Sequence, residues 1–203
     1  MDGPKPLTLK QNLEMVRQLD FLRDVFQRQL PLRLVGGFAD DALLHQKPTR
    51  HHQDVDFLAS RRDSDLLKRE FSSQGLKVEE VEIPLREQPY KLMISGENLK
   101  AEVVLYDHDH AGEPYIGLSN PMRNEKLKVY LDVEGLNAPV QRINDIEVRT
   151  VSPRALIRLK DQYHQAGAES NVGQVRVRNK LIDKFYPGEN PESEKFKLRI
   201  ERE

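Results

Sequence analysis

The sequence predicts an α+β fold in which an N-terminal helix precedes a mixed sheet and a small helical part closes the chain. Three observations predict it. Between Asn12 and Leu30 apolar residues recur every third or fourth position, the spacing of one helix face. Residues 32–150 hold short alternating runs cut by Gly, Pro, Asn and Asp, as strands and their turns do. At Ser152 the pattern becomes helical again, so the chain divides into residues 1–150 and a helical region over 151–203 with a charged tail.

The first helix shows Leu13, Val16, Leu19, Leu22, Val25, Phe26 and Leu30 on one stripe, which should lie on something apolar, and Pro31 ends it. Leu32 to Val35 is a short strand. Gly36-Gly37 punctuates the chain before the helix-like "FADDALL", and "HQKPTRHHQ" is a polar loop. "DVDFLAS" is a second strand. Asp63 to Ser73 is helical, "LKVEEVEI" is a strand, and "PYKLMISGENLKAEVVLYD" is a hairpin turning at Ser95-Gly96-Glu97-Asn98. His108 to Asn124 is turn-rich with little periodicity. "LKVYLDV", "PVQRI" and "IEVRTV" are further strands. "SPRALIRLKDQY" opens a helix, with serine at the N-cap and proline at the first helical position. "GQVRVRNKLIDKFY" is a second basic helix, and the tail beyond Pro187-Gly188 should fray.

Lys+Arg number 32 against Asp+Glu 33, for a formal charge of −1. There is thus no global attraction to nucleic acid or to an anionic membrane, and any anion site must be built locally. The absence of cysteine removes disulfide scaffolds, thiolate metal sites and cysteine nucleophiles. "MDGPKPLTLK" lacks the apolar stretch of a secretory signal and no segment is apolar enough to span a bilayer, so a cytoplasmic protein with no membrane partner is expected.

The chemistry is sought among the acids. In "DVDFLAS" period two sends Asp54 and Asp56 to one face and Val55 and Phe57 to the other. Two carboxylates about 6–7 Å apart along a strand can converge on one or two divalent ions, although an isolated D-x-D also occurs on solvated strand ends. Magnesium takes such oxygen ligands and shares them with substrate phosphates. Glu102 is charged within the apolar run "KAEVVLYD", where it needs a partner, an ion or a proton. If its strand neighbours that of Asp54, three acids meet, and Asp107 and Asp109 compete for the third place. Gly36-Gly37 leaves room for phosphate oxygens to approach backbone N–H groups at a helix start. The spacings of a P-loop and of a dinucleotide fingerprint are both missing.

"LVGGFADDALL", the polar loop with its basic residues, "HHQDVDFLA" and the later acid-bearing strand together resemble the nucleotidyltransferase superfamily built on a polymerase-beta-like palm. Within it the likeness is greatest to small enzymes that adenylylate aminoglycosides or lincosamides, in which a glycine pair is followed by an aromatic residue and "D-A-L-L". It is strongest over residues 32–58, extends to about residue 107, and is looser in the C-terminal helices, where Lys160 and the pair Arg178 and Lys180 resemble basic residues of relatives.

The resemblance implies a palm domain over residues 1–150 and Mg2+-dependent transfer of a nucleoside monophosphate from an NTP, with ATP the expected donor, to a hydroxyl of a small molecule, in the manner of antibiotic-resistance enzymes. It implies two Mg2+ ions held by Asp54, Asp56 and Glu102, with Glu102 also the general base. It further implies Gly36 and Gly37 at the triphosphate, and Arg50, Lys160 and Lys180 as charges near the leaving pyrophosphate. Glu102 is a glutamate where many relatives have aspartate. A transferase acting on tRNA or a partner protein, and an inactive homologue that only binds nucleotide or a partner, remain alternatives, the near-neutral charge weighing against nucleic acid. His51-His52 and His108-Asp109-His110 are too sparse for zinc and are read as acceptor contact or loop surface.

Overall fold

A computed structural model describes residues 7–82, 89–120, 125–131, 133–165 and 172–202. Helix α1 (Leu9–Gln27) starts at a capping box: Gln11 N–H donates to the Thr8 hydroxyl while Thr8 N–H donates to the Gln11 side chain. Only its second half enters the core, through Phe21, Leu22 and Val25. Leu13 and Val16 stay 52% and 57% exposed, against the expectation of one continuous buried stripe. The first half of the helix runs instead beside the polar loop after residue 44, which it meets through Glu14, bonded to His51 (2.7 Å), and Gln18, which donates to the His52 carbonyl (3.0 Å).

Strand β1 (Arg33–Leu34) leads into α2 (Gly36–Leu44), and β2 (Val55–Ser60) returns antiparallel to β1. A 3₁₀ turn and α3 (Ser64–Ser73) carry the chain to β3 (Lys77–Glu82), β4 (Pro89–Gly96) and β5 (Leu99–His108). The β4–β5 hairpin turns where expected, closing with Gly96 opposite Leu99 and with Asn98 in the left-handed region at φ +54°. Strand β5 lies parallel to β2, with Asp56 opposite Glu102. One face of this pair presents Val55, Phe57, Ala101 and Val103, all fully buried, and the ring of Phe21 meets Phe57 at 6.2 Å and Phe71 at 5.6 Å. The other face carries the acids.

The end of β5 pairs with β6 (Pro114–Asn120), then follow β7 (Glu125–Tyr130) and β10 (Arg199–Arg202). Two expectations are corrected here. The turn-rich stretch contains β6, whose alternation of Tyr115 and Gly117 with Ile116 and Leu118 is masked by its proline and glycine. The tail does not fray: β10 adds to the edge of β7, the Tyr130 hydroxyl donates to Glu201 (3.0 Å), and the Arg199 guanidinium lies 3.9 Å over the Tyr130 ring.

A separate hairpin, β8 (Val140–Ile143) and β9 (Ile146–Arg149), precedes α4 (Pro153–Gln165) and α5 (Val172–Phe185). Ser152 caps α4, its hydroxyl accepting from Ala155 N–H at 3.1 Å. One apolar core joins Leu34 and Phe38 from the sheet side with Leu156, Leu181 and Phe196 from beyond residue 150. The architecture is α+β: an N-terminal helix, a mixed sheet and a C-terminal helical segment. Among the described residues no helix is long and apolar enough to cross a membrane.

Candidate active site

The acid-bearing face of the β2–β5 pair opens on a cavity of about 930 Å³ walled on its far side by α4 and α5. Its polar lining includes Gly36, Gly37, Arg50, Asp54, Asp56 and Lys160, and its apolar lining includes Leu58, Val104, Ile116, Leu156 and Leu159. Tyr90 also reaches it. The β3–β4 register shifts at this residue, and such a bulge re-aims a side chain.

The glycine pair lets two side chains come close to the start of α2. Gly36 has φ +63°, and a Cβ there would stand 1.9 Å from Asp56 Oδ2; at Gly37 it would stand 2.4 Å from His52 Nδ1. Val35 N–H donates to the Asp56 carbonyl at 2.9 Å, fixing the turn to β2. Sequence reading missed what holds the following loop. Asp41 accepts from Thr49 Oγ1 (2.7 Å) and Thr49 N–H (2.9 Å), bonds His52 Nε2 (2.8 Å), and is buried with that histidine. Burial pushes the Asp41 carboxyl up, but the bonds from His52 and Thr49 outweigh it and leave the group below its ordinary value. The signal was present in "FADDALL", where two acids in an otherwise apolar helix demand partners.

The other acid, Asp40, is buried against Lys160. The lysine Nζ lies 3.0 Å from Asp40 Oδ2 and 2.8 Å from Gln174 Oε1, while Asp40 Oδ1 is buried without a partner among the described residues. Burial raises the Asp40 pKa in spite of Lys160. Lys160→Met should therefore cost about 3–5 kcal/mol in denaturant unfolding, because it strands a buried carboxylate. Asp40→Asn/Lys160→Met should recover much of that loss, and equal losses in the single and double variants would refute the pairing.

Asp54 and Asp56 face the cavity with no cation bonded to either among the described residues. Burial and the neighbouring charge of Glu102 raise the Asp54 pKa. Burial, with Asp54 and Glu102 adding to it, pushes Asp56 up to about 7. Glu102 lies beside Asp56 across the strand pair, outside the cavity lining, and its Oε2 accepts from Lys91 Nζ at 2.6 Å. Among the described residues no three His, Asp or Glu side chains gather into a group able to hold an ion. The two aspartates nonetheless fit a hard dication: they are all-oxygen donors, mutually repelling, and magnesium needs only one or two protein carboxylates beside substrate phosphates.

The remaining residues are placed as follows. Lys180 is away from this site: it lines a separate surface hollow with Val172, Arg176 and Asp183, on a face of α5 turned from the cavity, because α5 points Leu181 and Ile182 into the core. Arg178 is buried and held by Asp161 (3.3 Å) and the Pro191 carbonyl (2.8 Å). Asp107 pairs with Arg61 at 2.9 Å, and Asp109 accepts from Ala111 and Glu113 N–H, both at 2.9 Å, closing its own turn. His51 lies in the cavity lining and bonds Glu14, whereas His108 lies edge-on to Tyr106 at 5.5 Å.

Residues 18–107 match the family model of aminoglycoside-2''-adenylyltransferases. Solved structures share the fold. The lincosamide antibiotic adenylyltransferase LnuA in its lincomycin-bound form is 16% identical with a TM-score of 0.53, covering 87% of this chain and 99% of that one. The antibiotic-resistance factor ANT(2'')-Ia in solution is 17% identical with a TM-score of 0.55, covering 88% and 85%. The same protein in complex with adenylyl-2''-tobramycin is 18% identical with a TM-score of 0.52, covering 87% and 90%. No curated protein matches the chain.

Proposed function

We propose that the chain is a nucleotidyltransferase, on the match of residues 18–107 to the adenylyltransferase family model and on the shared fold, and that it transfers a nucleoside monophosphate from an NTP to a hydroxyl of a small acceptor. The observation that supports this most is the placement of Asp54, Asp56 and Glu102 on one face of adjacent strands, with Asp56 opposite Glu102, beside the glycine turn and a large cavity. The sheet part over residues 1–150 supplies the acids, and residues 151–203 supply Lys160 and part of the apolar wall.

In this reading Asp54 and Asp56 would hold Mg2+, which when bound neutralises charge on the reacting phosphate and the departing oxygen. The backbone at Gly36 and Gly37, at the N-terminus of α2, receives the triphosphate. Arg50 and Lys160 add positive charge in the same cavity. The acceptor oxygen attacks the α-phosphorus, its O–P bond forms as the α–β anhydride bond breaks, and pyrophosphate leaves with the bonding electrons. The hydroxyl proton passes to Glu102. The carboxylates of Asp54 and Asp56 in the lining suit a cationic or neutral acceptor better than a polyanion, and the apolar wall of Leu58, Val104 and Ile116 can seat a ring, so a small acceptor of the aminoglycoside or lincosamide class fits the reading. With such an acceptor the chain would inactivate an antibiotic.

A second reading, a homologue that binds nucleotide without transferring it, draws on the bond between Lys91 and Glu102. One experiment separates the two. The purified chain is incubated with each NTP, Mg2+ and panels of aminoglycosides and lincosamides. Pyrophosphate release that needs both Mg2+ and one acceptor is expected. Nucleotide binding with no release for any acceptor would favour the second reading, and no nucleotide binding at all would overturn both.

A further inference from the structure

Lys91 stands on β4 opposite Val104 of β5, two positions from Glu102 along that strand. On an antiparallel pair this makes Lys91 and Glu102 diagonal neighbours on one face, within reach of a long side chain. The contact is made: Nζ lies 2.6 Å from Glu102 Oε2, with the two side chains only 19% and 25% exposed. The cluster of acids on this face is therefore divided. Asp54 and Asp56 have no bonded cation among the described residues, whereas Glu102 has one.

The division bears on how many ions the cluster takes. Three carboxylates crowded on one face call for positive charge between them, and one dication with one ammonium supplies it. A second dication at Glu102 would share its carboxylate with an ammonium 2.6 Å away, and two cations that close in a partly buried setting repel strongly. Lysine suits the place because its head is a compact point charge on a stem long enough to reach across strands. We propose that Lys91 stands in for the acceptor-side metal ion: it holds the Glu102 carboxylate in place, and the site takes one divalent ion, on Asp54 and Asp56, instead of two. Lys91 is in this sense a positioning residue, and the proposal rests on the transferase reading above.

Metal stoichiometry tests it without turnover. The full chain is titrated with Mn2+ in the presence of one equivalent of α,β-methylene ATP, and bound Mn2+ is counted by electron paramagnetic resonance. Wild type should bind one Mn2+ per complex. Lys91→Met should bind a second, Lys91→Arg should stay at one, and Lys91→Met/Glu102→Gln should return to one. A merely structural lysine would alter the melting temperature and leave these counts alone. Two Mn2+ bound by wild type, with Lys91→Met unchanged, would overturn the proposal while leaving the transferase reading intact. Failure of wild type to bind either Mn2+ or the nucleotide analogue would overturn the transferase reading and this proposal with it. If Lys91→Met does not fold, the wild-type and Lys91→Arg counts decide alone: one ion in each supports the lysine, two in wild type overturns it.

Discussion

Asp56→Asn should reduce nucleotidyl transfer by at least about 10²–10³-fold, the usual loss on removing one preorganised electrostatic group, and should make the unliganded protein more stable at pH 8. The two effects share one cause. The Asp56 carboxyl has an ordinary value of 3.8 and is pushed up to about 7 by burial and by the charges of Asp54 and Glu102. A carboxyl with a raised native pKa binds its proton more tightly in the folded than in the unfolded chain. Stability therefore falls as pH rises from about 4 to about 7, and the whole penalty is present above that window. From the size of the shift the penalty is at most about 4 kcal/mol. Asparagine keeps the shape and cannot ionise, so the melting temperatures of variant and wild type should agree near pH 4 and separate by several degrees at pH 8 without divalent ions. Mg2+ with nucleotide should then raise the wild-type melt and leave the variant unmoved. Melts that stay parallel from pH 4 to pH 8 would show that Asp56 is not the strained group.

Much of this site was legible in the sequence because its geometry follows from strand periodicity. Asp54 and Asp56 share a face by period two, and a charged Glu102 in an apolar run announced a strand whose acid needed a neighbour. The parallel pairing that sets Asp56 opposite Glu102 was not legible, since register between distant strands depends on packing that no local pattern records. Lys91 was hidden for the same reason. As one basic residue on a hairpin it looks like a solvated face until pairing places it diagonal to Glu102. Lys180 shows the opposite failure. A basic residue on a helix beside a buried Arg178 could face either way by sequence, and α5 turns it outward because Leu181 and Ile182 occupy the core side. The tail strand Arg199–Arg202 has no apolar alternation to betray it, because it is held on an exposed edge by backbone pairing and by contacts of Arg199 and Glu201.

Gly36→Ala should destroy the site from the opposite side of the same contact. Two penalties combine at this position. The backbone sits at φ +63°, where a Cβ costs about 1–2 kcal/mol. That Cβ would also lie 1.9 Å from Asp56 Oδ2 and 2.9 Å from Asp56 Cβ, so the acid cannot clear it by turning its carboxylate alone. Asp56 is not free to retreat, because its carbonyl accepts from Val35 N–H at 2.9 Å and its strand is paired on both edges. The chain must then move α2 or expel the carboxylate, and either course separates the glycine turn from the acid pair. Gly75 isolates the two penalties: it has φ +75° and nothing within 4 Å of its missing Cβ, so Gly75→Ala carries the backbone cost alone. In denaturant unfolding Gly36→Ala should lose clearly more stability than Gly75→Ala, the excess measuring the collision. Gly75→Ala should retain Mn2+-dependent nucleotide binding and Gly36→Ala should lose it. Equal destabilisation in the two variants, with nucleotide binding retained in both, would mean that the glycine is there for its backbone conformation and not for the carboxylate it faces.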